Sequence, residues 1–248
     1  MNKYLYNALP FLKDIDRGRQ EQFETYFRSA PLWLMEMFQV VELKGGDVFI
    51  REGDPADTIF FVGQGVIEAT DYRVLGTLYD YMRFDKLYAF GGMEFIMELD
   101  TYKTTLRAVT DCTIVKLPRA QFEQWMCSDI QALRYEAKLV GEYLNTEARH
   151  NRVLLFLEGV DRLALLLIGR YEQYSVNEVL QLRESRQRLA NESGLCVKSV
   201  NRGIQKFLDE GLIAKEGTKI TVSRAQYEAL RDFLSQKVHL DPSGMSFK

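Results

Sequence analysis

Between residues 90 and 109 the chain reads FGGMEFIMELDTYKTTLRAV. The Gly91-Gly92 turn, followed by Met93 and Glu94, is backbone that another group can approach closely, because glycine carries no Cβ. Such a turn suits an anion, and Lys103 or Arg107 could supply the charge. Lysine, however, lacks the planar fork that grips a phosphate through two parallel bonds. Met93, Phe95 and Tyr102 make the stretch apolar and aromatic. It reads as a ligand pocket, a disabled pocket or plain core.

A second stretch, SRQRLANESGLCVKSVNRGIQKFLDEGLI, runs from Ser185 to Ile213. Ser185 can cap a first helix that ends near Glu192. Leu189 and Ala190 point inward, and Gly194 permits a sharp turn. Leu195, Val200, Ile204, Phe207 and Leu208 give a second helix its apolar face, leaving Lys198, Ser199, Asn201, Arg202 and Gln205 outside. This is a helix-turn-helix whose second helix fits a major groove. The hairpin-like LIAKEGTKITV that follows, with its turn at Gly217, adds a wing. From Arg183 to Lys219 eight Lys or Arg stand against five Asp or Glu, in a chain of net charge -3. A local positive excess within an acidic protein fits phosphate neutralisation; a small bundle with a solvated face would need none.

Other chemistry is poorly supplied. Cys112, Cys127 and Cys196 form neither a CxxC pair nor a disulfide framework. His150 and His239 cannot make the histidine cluster of a metal-dependent β-roll enzyme. No GxSxG, P-loop, HExxH or dinucleotide fingerprint is present. The expectation is a protein that is not an enzyme and holds no metal. Thiol redox sensing at Cys127 and Cys196, both placed near helix starts, competes with three ordinary cysteines.

The 248 residues suffice for two ordinary domains. No apolar run reaches membrane-spanning length, and no signal peptide is expected. The widely spaced cysteines suit a reduced, cytoplasmic protein without a membrane partner. Residues 1–38 are helical in pattern, interrupted at Pro31. From residue 39 the pattern changes to short strands and turns, with Gly45-Gly46-Asp47 and Gly53-Asp54-Pro55 as turn chemistry. Strands are expected in VLGTLYDYM, KLYAF, KTTLRAV and CTIVKL. PRAQFEQWMCS is a short helix. DIQALRYEAKLVGEYLNTEARHNRVLLFLE is a long one, with a seam of Leu133, Ala137, Val140, Leu144, Ala148, Asn151 and Leu155. Spacings of three and four are those of a coiled coil, so a parallel dimer is expected, with Asn151 setting the register.

This order of β-roll, seam helix and winged helix-turn-helix resembles the CRP/FNR family of bacterial transcription regulators, over roughly residues 40 to 222. GGDVFIREGDPADTIFFVGQGVIEA resembles the family's β-roll opening, and RQRLANESGLCVKSVNRGIQKFLDEGLI its DNA-binding helix pair. The resemblance implies an α+β fold: an N-terminal double-stranded β-helix (jelly-roll-like) sensor domain with preceding helices over 1–127, a long dimerisation helix over 128–159, a C-terminal winged helix-turn-helix over 160–238 and a tail over 239–248. It implies a homodimer on a two-fold symmetric operator in double-stranded DNA, with recognition helices about 34 Å apart, and contacts with RNA polymerase. A sensor or scaffold acting only through protein partners is the rival.

The resemblance also implies candidate effectors. For cyclic AMP, the family's phosphate cassette carries a Glu soon after a Gly, and an Arg followed by a small residue. The matching positions are Gly92, Tyr102 and Lys103, so the cassette is broken, and Glu94 falls two residues late. On the long helix, Glu147 and Ala148 match the positions that approach the base. An iron–sulfur cluster would need cysteines near the N-terminus, and haem a histidine in the β-roll; neither is here. The expected pocket of Gly91, Gly92, Met93, Glu94, Tyr102, Lys103, Glu147 and Ala148 therefore serves a different, less polar small-molecule effector, or none. Base contacts are implied at Val197, Lys198, Asn201 and Arg202. Lys198 stands where many members have Glu. Arg186, Arg188 and Lys206 are the expected phosphate contacts, and Gly203, where the family has an apolar residue, suggests looser packing.

Overall fold

The structure, a computed structural model, describes residues 3–74, 77–84, 87–217 and 219–235, with the side chains of these other than 70–84, 146–147 and 149–156. The chain divides into two compact units, residues 1–71 with 80–146 and residues 72–79 with 147–248.

The first unit opens with helices α1 (Lys3–Ala8), α2 (Arg17–Tyr26) and α3 (Leu32–Met35), with a 3-10 turn at Pro10–Lys13. Asp16 caps α2 by accepting from the Arg19 backbone N–H, and Pro31 stands at the N-cap of α3. Strands β1 (Gln39–Leu43), β2 (Val48–Ile50), β3 (Thr58–Gln64), β4 (Ile67–Val74) and β5 (Thr77–Phe84) follow. Then come α4 (Gly92–Ile96), β6 (Thr105–Ala108) and β7 (Cys112–Pro118). They form two antiparallel sheets, β1-β7-β3 and β2-β6-β4-β5.

Alternation along β3 and β7 explains the layering. Phe60, Val62, Cys112 and Ile114 join Ile67, Tyr102 and Leu106 in one core. Ile59, Phe61, Val115 and Leu117 point the other way, into a core completed by Phe23, Phe27, Phe122 and Trp125. A strand buried on both faces reads as an unbroken apolar run, which is why TIFFVG lacks a polar stripe.

One strand expectation changes. VLGTLYDYM includes Val74 at the end of β4 and continues from Thr77 in β5, with 75–76 outside the described residues. In KLYAF residues 87–90 are not a strand, and 86 lies outside the described residues: Phe90 makes one isolated bridge, to Phe60, and the Leu87 N–H donates to the Gln22 side chain at 2.8 Å. A helix side chain has taken the donor that a neighbouring strand would need.

Helix α5 (Arg119–Ser128) precedes α6 (Ile130–Phe156), which has 27 residues and is about 40 Å long at ~1.5 Å per residue. Cys127 lies in the last turn of α5, not at a helix start. The expected seam is split. Ala137, Leu144 and Ala148 are exposed, Leu133 packs on the helical core, Val140 lines a pocket, and the Asn151 and Leu155 side chains lie outside those described.

The second unit contains α7 (Gly159–Tyr174), β8 (Val179–Leu182), α8 (Arg186–Ser193), α9 (Val197–Asp209), β9 (Ala214–Glu216), β10 (Lys219–Ser223) and α10 (Arg224–Ser235). Its sheet runs β8-β10-β9. Strand β8, unforeseen among expected short helices, pairs with the outer side of the wing. The 239–248 tail lies outside the described residues.

Gly203 corrects the expectation of looser packing. It is buried, and a Cβ there would stand 2.8 Å from Leu163 Cδ2 on α7. Glycine lets α9 approach α7 closely. Gly203→Ala gains about 1 kcal/mol of helix propensity, which offsets a small shift of Leu163. Gly203→Val forces a larger movement and is expected to cost about 1–3 kcal/mol. Urea denaturation of the two variants measures this; equal stability would mean the approach is not tight.

Candidate functional site

A pocket of about 80 Å³ opens in the first unit, walled by β-roll residues and one face of α6. Gly91 lines it, whereas Gly92, also expected there, is buried and is not among the described lining residues. Gly91 has φ of 102°, and a Cβ there would stand 2.9 Å from the Thr58 carbonyl oxygen. Glycine is required at this point both for its conformation and for the space. Met93, Glu94 and Tyr102 line the pocket as expected, joined by Ile50, Tyr88, Phe90, Thr104 and Leu106. The Tyr102 hydroxyl donates to the Thr58 carbonyl at 2.5 Å, and burial pushes its pKa up to about 12. Glu94, buried on α4, accepts from the Lys103 backbone N–H at 3.2 Å.

The cations do not enter. The Lys103 side chain is exposed and donates to Thr101 Oγ1 at 3.1 Å, and Arg107 is bonded to the buried carboxylate of Glu68. No Lys, Arg or His is among the described lining residues. Phe95, which made the stretch look aromatic, is not among the described lining residues and meets Phe122 edge-on with ring centres 5.7 Å apart. On α6, Ala148 is exposed and does not line the pocket, and the Glu147 side chain lies outside those described.

The helix contributes instead Glu136, Leu139, Val140 and Tyr143. Sequence reading missed Glu136. It is 2% exposed, and its Oε2 accepts from the Tyr26 hydroxyl at 2.6 Å. A Cβ at Gly92 would collide with Glu136 Oε1. The helix carboxyl therefore occupies the space of the side chain that Gly92 lacks. The available signal was the 3–4 spacing of Ala132, Glu136, Leu139 and Tyr143, an inward face interrupted by one acid.

The nucleic-acid interface is built differently. Ser185 caps α8 by accepting from the Arg188 N–H at 3.1 Å, and Gly194, with φ of 64°, turns the chain into α9. Val200, Ile204 and Phe207 fix the inner face of α9. Lys198, Asn201, Arg202 and Gln205 are exposed on its other side. Leu195 lies in the turn ahead of α9. Val197 is half-buried against the core, and Ser199 is half-buried near Cys196, whose thiol pKa is lowered by hydrogen bonding to Ser199. Arg186 is half-buried. Arg188 donates to Glu192 at 3.0 Å and belongs to a network in which buried Arg170 also bonds Glu192 and reaches Glu184 at 3.6 Å. Lys206 sits 3.8 Å from Glu210 and over the Phe233 ring.

A β-roll combined with a winged helix-turn-helix defines the class of DNA-binding transcription regulators. Residues 40–129 match the cyclic nucleotide-binding domain, and residues 161–233 the Crp-like helix-turn-helix domain. Over 189 residues the chain is 29% identical to CRP-like protein Clp of Xanthomonas campestris pv. campestris, covering 71% of this chain and 80% of Clp. It is 22% identical over 186 residues to the transcriptional activator protein anr of Pseudomonas aeruginosa, covering 73% and 75%. The solved c-di-GMP-responsive global regulator CLP of Xanthomonas campestris superposes with a TM-score of 0.67 at 23% identity, over 84% of this chain and 99% of that one. A CRP/FNR-family regulator of Thermus thermophilus gives 0.62 at 19% identity, over 78% and 98%. The chain belongs to the CRP/FNR family: it is a CRP-like transcription regulator with a helix-turn-helix DNA-binding domain. Among the described residues no helix is long and apolar enough to cross a membrane.

Burial pushes the Glu136 carboxyl from 4.5 up to about 7, an effect that the Tyr26 hydrogen bond partly offsets. The folded protein thus holds this proton more tightly than the unfolded chain. Its contribution is complete below pH 4.5 and is lost as pH rises through about 7. The shift corresponds to about 3 kcal/mol of stability lost across that window. Glu136→Gln removes the titration. Urea denaturation at several pH values is expected to show a flatter decline for this variant; parallel curves would refute the assignment.

Proposed function

We propose that the protein is a homodimeric, sequence-specific regulator that reads a two-fold symmetric operator, and that its pocket takes an effector other than a cyclic nucleotide. The observation that carries the DNA reading is the outward row Lys198, Asn201 and Arg202 on α9, held rigidly by a buried inner face. Lys198 and Arg202 suit the acceptor pair of guanine, and Asn201 suits adenine. Arg186 and Lys206 are phosphate contacts by position, whereas Arg188 mainly holds α8 to the unit's core. The exposed Ala137, Leu144 and Ala148 support a dimer through α6, with Leu144 46% exposed in the single chain. The symmetric operator follows from that dimer, with RNA polymerase as its partner at the promoter.

The pocket argument is electrostatic. A cyclic nucleotide brings a phosphate, and a c-di-GMP ligand, as described for CLP, brings two. With two carboxyl residues and no cation among the described lining residues, a phosphate would meet repulsion and lose its hydration uncompensated. We propose no haem or iron–sulfur cluster here either, because neither His nor Cys is among the described lining residues.

Gel shifts with genomic fragments are expected to show DNA binding that weakens steeply with salt; its absence would sink the regulator reading. In binding-site selection, Lys198→Glu is expected to change one half-site preference from guanine to cytosine, with about 1–3 kcal/mol of discrimination. An unchanged operator would remove Lys198 from base reading. Micromolar cyclic AMP binding in calorimetry would overturn the effector reading.

A further inference from the structure

We propose that the pocket between the Gly91-Gly92 turn and α6 binds a small, largely apolar amine, with its ammonium group at Glu136 and its hydrocarbon among the aromatic rings. The proposal deepens the effector reading above and rests on it. Three features select this class.

The first is charge. Glu94 and Glu136 are the only ionisable groups of formal charge among the described lining residues, and both are acids buried to 95% or more. Arg107 is bonded to Glu68, and the Lys103 ammonium lies with Thr101 at the surface. A buried carboxylate without a counter-ion is costly, and a ligand cation removes that cost.

The second is an open acceptor. Oε2 of Glu136 is taken by the Tyr26 hydroxyl, whereas Oε1 faces the empty side of Gly92. No described hydrogen bond reaches Oε1. Glu136 lines the pocket, so an ammonium there can donate to this oxygen; an anion or a plain hydrocarbon leaves it unmet.

The third is the wall. Tyr88 lies 6.2 Å from Phe90 and 6.5 Å from Tyr143, centre to centre. Ring faces attract cations, and their apolar bodies shelter an alkyl chain. The volume of about 80 Å³ is roughly half that of a cavity that accepts benzene, so the enclosed part of the ligand is small.

The test uses three molecules of one shape: isoamylamine, isoamyl alcohol and isovalerate, titrated by calorimetry into the full chain without DNA. Isoamylamine is expected to bind at least about ten-fold more tightly than the alcohol, with no heat from isovalerate. Glu136→Gln is expected to weaken the amine by about ten-fold or more while changing the alcohol by less than about three-fold. Glu94→Gln, read the same way, serves if the first variant does not fold. No amine binding at about 10 mM, equal binding of all three, preference for isovalerate, or an amine affinity unchanged in the folded variants would each overturn the proposal. Gel shifts on the same protein keep the two readings apart. Lost amine binding with intact DNA binding rejects the ligand alone, and lost DNA binding with intact amine binding rejects the regulator alone.

Discussion

The first unit is organised around a carboxyl group buried beneath a glycine. Glu136 enters the apolar core beside Ala132 and Leu139, where an ionised acid without partners would cost several kcal/mol. The Tyr26 hydroxyl answers one oxygen, and the missing side chain of Gly92 leaves room for the other. Tyr26 is itself held edge-on by Phe27, Phe61, Trp125 and Tyr135, with ring centres 5.0 to 6.1 Å apart. The hydrogen bond thus joins α2 and α6 to the aromatic core behind β3 and β7. The position of α6, and with it one wall of the pocket, depends on this contact.

The second unit solves its packing with a different set of forces. Helix α8 is bound to α7 by ions: Arg170 is nearly buried and shared between Glu184 and Glu192, with Arg188 on the far side. Removing one member would leave another buried charge unmatched, which costs more than the intact pair contributes. Helix α9 reaches α7 instead by close approach at Gly203, and α10 by the stacking of Tyr227 on Tyr171 at 4.4 Å. The recognition helix is fixed from within, so its outer residues need no structural role. Part of the local positive charge is spent inside the unit. The charge count overstated the phosphate-contacting surface by including Arg188, while Lys198 and Arg202 remain exposed.

The elements were legible wherever one residue type had one explanation. Ser185, Gly194 and the apolar spacing of α9 announced a helix-turn-helix because cap, turn and stripe each have few alternatives. Pro118 marked a helix start for the same reason, whereas Pro31, read as an interruption, stands at the N-cap of α3. The failures share a cause, which is tertiary partnership. KLYAF has strand composition, but Gln22 from a distant helix takes the Leu87 N–H. Gly203 looked like a weakness until Leu163 was seen beside it. Glu136 drew no notice within the long helix, because nothing local predicts Tyr26, 110 residues earlier, as its partner. The expected departures from the phosphate cassette at Gly92, Tyr102 and Lys103 could be read locally; the carboxyl that α6 brings to the same pocket could not.

The pocket receives a carboxyl from each side: Glu94 follows the Gly91-Gly92 turn on α4, and Glu136 comes from α6. A turn-borne acid reports ligand to the β-roll that holds it. A helix-borne acid puts the ligand in direct contact with the element whose Ala137, Leu144 and Ala148 form an exposed stripe. The group is also poised near neutrality, its carboxyl raised to about 7 by burial. A ligand that fixes the charged form must therefore supply the compensation that the apolar surroundings withhold. Differential affinity of this kind is what allows a ligand to shift a conformational equilibrium. On the proposed reading, a ligand held at Glu136 bears directly on α6, so the helix and the pocket respond to the same contact.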